Sequence, residues 1–177
     1  MAQILAFAGS NSSTSINLKL VKHTVSLIHE HHVDTLDMVN YPFPMYSIDI
    51  EKTKGFSNSL VELKDDIQKA SGLVLSVNEH NGNPSAYFKN TLDWLSRIDR
   101  KFLADTKILL MSTSVGKQGG TSSLEVVNAM IPRFGGEVFA TFSLPEFAAN
   151  FDGTKGITNE ALAMSHKAAL NSFLKSL

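Results

Sequence analysis

The sequence predicts an α/β fold: a three-layer sandwich whose five-stranded parallel sheet runs in the order 2-1-3-4-5, with helices on both faces. Three observations predict it. Apolar runs of strand length alternate strictly with longer segments of helical period, a βαβαβαβαβα pattern, and right-handed crossovers then place helices on both sides of a parallel sheet. Two of the runs, Gly72 to Val77 (GLVLSV) and Lys107 to Ser112 (KILLMS), are apolar without alternation, as strands covered on both faces are. The chain has 177 residues, 43% of them hydrophobic, which is enough for one sizeable core and too apolar for a disordered segment. No repeat, low-complexity tract or linker interrupts it, so residues 1–177 are expected to form a single domain.

The elements follow in order. Gln3 to Ala8 reads as the first strand and stops at Gly9-Ser10. Ile16 to His29 carries Leu18, Leu20, Val21, Val25, Leu27 and Ile28 at amphipathic spacing, so a helix is expected. Val33 to Met38 reads as the second strand, and Asn40 to Ile50, with YPFPMY, as a loop. Phe56 to Ala70 places Leu60, Leu63 and Ile67 on one helical face. The strand Gly72 to Val77 follows, then a helix over Ala86 to Ile98, the strand Lys107 to Ser112, a helix over Ser122 to Phe134, a strand over Glu137 to Phe142, and a closing helix over Thr158 to Leu177. In that last helix Leu162, Met164, Ala168 and Phe173 are expected in the core.

Ligands of such sheets sit beyond the carboxyl ends of the strands, where the strand order reverses between strands 1 and 3. That rule selects three loops, Gly9 to Asn17, Asn78 to Ala86 and Thr113 to Thr121, all rich in Gly, Ser, Thr and Asn. The first, GSNSSTSIN, follows a buried strand and opens a helix. Its small residues let backbone N–H groups converge on an anion at the positive end of the helix dipole, and Ser10, Ser12, Ser13, Thr14, Ser15 and Asn17 add neutral donors. It contains no Lys or Arg, so a phosphate held there meets no fixed charge; the same hydroxyls also suit simple helix capping. In the second loop Glu79, His80, Asn81 and Gly82 lie where a flat ring system would rest, with Gly82 allowing close backbone approach and His80 offering a flat side chain or serving as an ordinary loop histidine. The third, STSVGKQGGT from Ser112, exposes backbone around Gly116, Gly119 and Gly120. Lys117 in it is either a phosphate contact for a nicotinamide nucleotide or a solvated surface lysine.

Other chemistries are disfavoured. There is no G-x-G-x-x-G after strand 1, no G-K-[ST], no H-E-x-x-H and no G-x-S-x-G. The chain has no cysteine, which removes disulfides, thiolate metal sites and cysteine nucleophiles. His23, His29, His31 and His32 are expected at the negative end of the first helix rather than around a metal. A net charge of -1 with dispersed Lys and Arg gives no reason to expect a nucleic-acid or membrane partner. The opening residues read as a strand rather than a signal peptide, and a cytoplasmic location is expected.

With the three loops in place, the chain resembles the NADPH-dependent FMN reductase family, which includes bacterial chromate and quinone reductases and azoreductase-like members. The resemblance rests on Gly9, Ser10, Ser15 and Asn17 in G-S-x-x-x-x-S-x-N, on E-H-N-G at Glu79 to Gly82, on K-N-T-L-D-W-L-S-R at Lys89 to Arg97, and on S-T-S-V-G-K-Q-G-G at Ser112 to Gly120. It implies the flavodoxin-like form of the fold. It also implies FMN held by Ser10, Ser12, Ser15, Ile16 and Asn17, by Asn78, Glu79, His80, Asn81 and Gly82, and by Ser112, Thr113, Ser114, Gly116 and Gly119. The implied activity is ping-pong hydride transfer from NADPH or NADH to FMN and on to a quinone, azo, metal or flavin acceptor, with no residue acting as general acid or base. The resemblance further implies a homodimer or homotetramer, with Trp94 and Leu95 as anchors near the interface or as plain core, and with Tyr41 to Tyr46 shaping the acceptor pocket of a neighbouring subunit. Two departures accompany it. Ser12 stands where the family often has arginine, and the second loop has Asn78 in place of a proline and Pro84 one position early. A flavodoxin-type electron carrier is the competing function, although such carriers are usually strongly acidic, and a flavin-free regulatory member is a third.

Overall fold

The computed structural model describes residues 1–177. In chain order the elements are β1 (Gln3–Ala8), α1 (Ile16–Ser26), β2 (His32–Thr35), α2 (Ile48–Lys54), α3 (Asn58–Lys69), β3 (Gly72–Val77), β4 (Glu79–His80), β5 (Asn83–Pro84), α4 (Ala86–Ile98), β6 (Lys107–Thr113), α5 (Thr121–Met130), β7 (Glu137–Leu144), α6 (Phe147–Asn150), β8 (Phe151–Asp152), β9 (Gly156–Ile157) and α7 (Glu160–Ser176). The main sheet is parallel throughout and ordered β2-β1-β3-β6-β7, the 2-1-3-4-5 order expected for its five strands.

Period-two alternation sorts the strand side chains into two cores. Leu5 and Phe7 of β1 join Leu73 and Leu75 of β3 in a layer with α3, α4 and α5. Ile4, Ala6 and Ala8 join Val74, Leu109 and Met111 in the opposite layer with α1 and α7. Burying each large apolar side chain contributes about 1.5–3 kcal/mol, so both layers hold the central strands firmly.

Several boundaries differ from expectation. The first helix ends at Ser26 rather than His29, where Leu27 and Ile28 close the last turn on Thr24 and Val25 through bonds of 3.2 and 3.0 Å. The second strand is His32–Thr35. It pairs only as far as Ala6 opposite Thr35, after which Asp37 caps a 3-10 turn over Met38–Asn40 by accepting from the Val39 N–H at 3.2 Å. The stretch expected as a loop up to Ile50 contains the start of α2, capped by the Ser47 hydroxyl. Pro132 ends the fifth helix, leaving a 3-10 turn over Ile131–Phe134. In α7 the core side chains are His166, Leu170 and Phe173, whereas Met164 and Ala168 face outward, one face away from their expected place.

Candidate functional site

β1 and β3 lie side by side, and the chain leaves them towards opposite edges of the sheet. Beyond their carboxyl ends opens a cleft of about 300 Å³, lined by Ser10, Ser12, Thr14, Ser15, Ile16, Asn17, Asn78, Glu79, His80, Thr113, Ser114 and Val115. All three loops selected from the sequence meet here. None of the lining residues is Lys or Arg.

The first loop is shaped from inside. Gly9 crosses the Phe88 ring so closely that a Cβ would lie 2.6 Å from Phe88 Cδ2, which only glycine allows. Ser85 caps α4 by accepting from the Phe88 N–H at 3.1 Å and donates its own proton to the Gly9 carbonyl at 3.0 Å. Within the loop, the Ser12 N–H donates to Ser10 Oγ and the Thr14 N–H to Ser12 Oγ, each at 3.3 Å. Ser15 caps α1 by accepting from the Leu18 N–H at 3.1 Å. Ile16 and Asn17 occupy the first turn, where no carbonyl of the helix reaches their N–H groups.

Asn17 is a tie, not an open donor. Its Nδ2 donates to the Thr113 carbonyl at 3.2 Å, and its Oδ1 accepts from the Thr113 N–H at 3.1 Å and from the Ser76 hydroxyl at 2.7 Å. One buried amide therefore joins the first loop to β3 and β6. The sequence leads one to expect the Asn17 side chain as a ligand donor; its partners within the chain lie 59 and 96 positions away and leave no sequence signal.

The second loop is a β-hairpin. β4 and β5 pair antiparallel, Glu79 with Pro84 and His80 with Asn83, across Asn81 (φ 53°) and Gly82 (φ 73°). Two central residues with positive φ make a type I′ turn, for which Asn-Gly is the strongest local signal. Gly82 therefore serves the turn, and a Cβ there would meet nothing within 4 Å. His80 is exposed at the cleft. Glu79 accepts from the Ser123 N–H at 3.1 Å, and Ser123 Oγ donates to the Asn78 carbonyl at 3.0 Å. A carboxylate thus caps α5, whose own N-cap, Gly120, has no side chain to offer. Asn78 Oδ1 is buried in the cleft wall with no hydrogen-bond partner, an acceptor awaiting a donor.

In the third loop Thr113 and Ser114 line the cleft, and Val115 extends it as a largely exposed apolar side chain that sequence reasoning missed. Ser112 is fully buried and donates to the Gly119 carbonyl at 2.9 Å, and Gly119 is pressed against Ser143 and Pro145. The Gly116 carbonyl accepts from Glu146 N at 3.0 Å and Gly119 N at 3.2 Å. These three residues build the loop behind the cleft rather than lining it. Lys117 is exposed and does not line the cleft.

Trp94 and the loop Tyr41 to Tyr46 meet at α4. Trp94 and Leu95 are buried in the core that α4 shares with α3 and the sheet; Trp94 packs edge to face against Tyr46 and Phe56, and its Nε1 donates to the Pro44 carbonyl at 2.8 Å. The loop Tyr41 to Tyr46 is clamped to the same helix. Tyr87 donates to the Tyr41 carbonyl at 2.9 Å, its phenol pushed up to about 12 by burial, and Asn90 Oδ1 accepts from the Tyr46 N–H at 2.7 Å. Tyr46 donates to Glu51, which a bidentate Arg97 holds below the usual carboxylate range. The histidines separate: His23 stacks on buried His166, His31 accepts from the Ala2 N–H, and His32 pairs with Asp34. No group of three or more His, Asp or Glu gathers as for a metal.

A parallel 2-1-3-4-5 sheet with a hydroxyl-rich cleft at its switch point defines the flavodoxin-like fold class. The profile of the NADPH-dependent FMN reductase family matches residues 2–152, and the chain belongs to that family. It is 34% identical over 77 residues to the quinone reductase of Escherichia coli K12, a match covering 44% of this chain and 41% of that protein, so it spans well under half the length of that relative. It is 27% identical over 126 residues to the NADPH:quinone oxidoreductase of Arabidopsis thaliana, covering 69% of this chain and 63% of that protein. Among solved structures, the flavoenzyme NAD(P)H:(acceptor) oxidoreductase FerB from Paracoccus denitrificans superposes with a TM-score of 0.80 at 20% identity, over 99% of this chain and 96% of FerB, a likeness of fold. No helix is long and apolar enough to cross a membrane.

Proposed function

We propose that the chain is one cytoplasmic FMN-binding domain that acts as an NAD(P)H-dependent oxidoreductase on small acceptors, quinones foremost. One observation carries this: a cleft at the switch point, lined by three donor-rich loops with no Lys or Arg in the lining, in whose wall the side-chain oxygen Asn78 Oδ1 is buried without a partner. The donor set fits FMN. The Ile16 and Asn17 N–H groups and the hydroxyl protons of Ser10 and Ser15, whose oxygens already serve as acceptors, suit a phosphate. Asn78 Oδ1 accepts a ribityl hydroxyl or a ring N–H. The exposed hairpin His80-Asn81-Gly82 and the Ser114-Val115 segment flank the space left for a flat ring.

When bound, FMN would supply two-electron redox chemistry between a nicotinamide and the acceptor, in the ping-pong order proposed here. The chain's own residues position and insulate. Asn17 fixes the phosphate loop to β3 and β6, Glu79 anchors the hairpin to α5, and Ser112 and Gly119 set the third loop. No side chain in the cleft is needed as an acid or base. The names of the quinone reductase relatives favour a quinone as acceptor. A homodimer or homotetramer is part of the proposal, supported by the exposed apolar side chains Met45, Ile48 and Val61 around α2 and α3.

The test is anaerobic mixing of the purified protein with FMN and then with NADPH or NADH. Saturable FMN binding followed by loss of the flavin absorbance, restored on adding a quinone, is the expected result. Flavin that binds but stays oxidised with both nucleotides would refute the enzyme reading. A stable blue one-electron form under partial chemical reduction would then favour an electron carrier.

A further inference from the structure

The cleft is not the only sizeable opening in the molecule. Further along α1 lies a groove of about 410 Å³ between the helix residues Lys19, Lys22, His23 and Ser26 and the β8–β9 hairpin, represented by Phe151 and Thr154. Its charge is positive. Neither lysine forms an ion pair. The hairpin's carboxylate, Asp152, is consumed by its own turn, accepting from the Thr154 and Lys155 N–H groups at 2.8 Å each. Beside the lysines, the His23 and Phe151 rings meet edge to face at 5.7 Å and form an aromatic wall.

Both sides of the groove start at the cleft. Ser15 and Ile16 line the cleft, and Lys19 and Lys22 follow on the same helix, about 6 and 10 Å along its axis from Ser15. On the other side, Ser114 of the cleft accepts from the Phe147 N–H at 3.0 Å, and α6 then leads directly into β8. A molecule that starts over the cleft and extends along α1 therefore arrives at two unpaired cations beside two aromatic rings. A phosphate ester on a purine nucleoside matches this chemistry: ammonium groups for the phosphate, rings for the base.

We propose that this groove holds the adenosine end of NADPH, with Lys19 and Lys22 on the 2′-phosphate and the His23 and Phe151 rings against the adenine. The two lysines then set the preference for NADPH over NADH. The inference rests on the oxidoreductase reading for its biological meaning, but its phosphate chemistry is tested without turnover. Purified full-length chain is titrated with 2′,5′-ADP, 5′-AMP and inorganic phosphate, followed by calorimetry and by the His23 imidazole signals in NMR spectra. The 2′,5′-ADP should bind at least about tenfold more tightly than 5′-AMP, the worth of one charge-assisted contact, and should shift the His23 signals. Lys19→Gln/Lys22→Gln should abolish that difference while FMN still binds, and should lower the NADPH-to-NADH ratio of kcat/KM by at least about tenfold. Equal binding of 2′,5′-ADP and 5′-AMP overturns the proposal, as does a preference that survives the double variant. Inorganic phosphate binding as tightly as 2′,5′-ADP overturns the nucleotide assignment. Failure of FMN to bind while 2′,5′-ADP is still discriminated would sink the oxidoreductase reading and leave the groove standing.

Discussion

Replacing Asn17 with Ala severs three hydrogen bonds at once and isolates their cost. The Ser76 hydroxyl and the Thr113 N–H, on residues 0% and 1% exposed, lose their acceptor, and the Thr113 carbonyl loses a donor. An orphaned buried polar group costs about 1–3 kcal/mol, so two stranded donors cost roughly 2–6 kcal/mol. Alanine's better helix propensity returns about 0.5 kcal/mol in the first turn of α1. Water entering from the neighbouring cleft brings the net cost to about 3 kcal/mol. With a urea dependence of about 2 kcal/mol per molar, the unfolding midpoint should fall by about 1.5 M with unchanged slope. Because the same amide aligns the first and third loops, FMN affinity measured by quenching of flavin fluorescence should fall by at least about tenfold. A midpoint shift below about 0.5 M, or unaltered FMN affinity in the folded variant, would refute the reasoning that this side chain ties the site together.

Glycines and a buried histidine give three further predictions. Gly9→Ala drives a Cβ into Phe88, which is 2% exposed, and should lower stability by about 1–3 kcal/mol and weaken FMN binding, read by thermal unfolding with and without FMN. Gly82→Ala has open space but keeps φ at 73°, so its cost is backbone strain alone, about 1 kcal/mol by thermal unfolding; no measurable loss would contradict the type I′ turn. His166 is 1% exposed, lies 2.8 Å from Thr24 Oγ1, and has its pKa lowered to about 4, chiefly by burial. Since the unfolded chain takes up that proton near 6.5 and the folded one does not, stability should be full above about pH 6.5 and fall towards pH 4, by about 3 kcal/mol. Urea midpoints at pH 7 and pH 5 measure this, and His166→Leu should flatten the dependence; an unaltered slope in that variant would assign it to other groups.

What the sequence disclosed depended on how local its causes were. β3 was legible residue for residue because GLVLSV is buried on both faces, and α4 because Ser85 caps it and its apolar stripe is wide. α2 escaped because it is short and buries no residue, so it has no periodic stripe. Its only marks are the Ser47 cap, acids in its first turn, lysines in its last, and Gly55 after it. The Asn81-Gly82 turn was legible in principle, but glycine in a suspected binding loop invited a ligand-contact reading instead of a hairpin. The loops of the candidate site were found by topology and composition, whereas the division of labour inside them was not. The side chains of Asn17, Glu79 and Ser112 brace these loops, with partners 59 or 96, 44 and 7 positions away. Only Ser112 had its partner close by in sequence.

The absence of lysine and arginine from the cleft lining has a kinetic consequence. A charged cradle draws a phosphate in from a distance and loses that advantage as counter-ions accumulate. The lining of this one holds no such cation, so any long-range pull comes from outside it. For FMN bound as proposed, capture would proceed without electrostatic steering by the lining itself, and retention would rest on short-range hydrogen bonds.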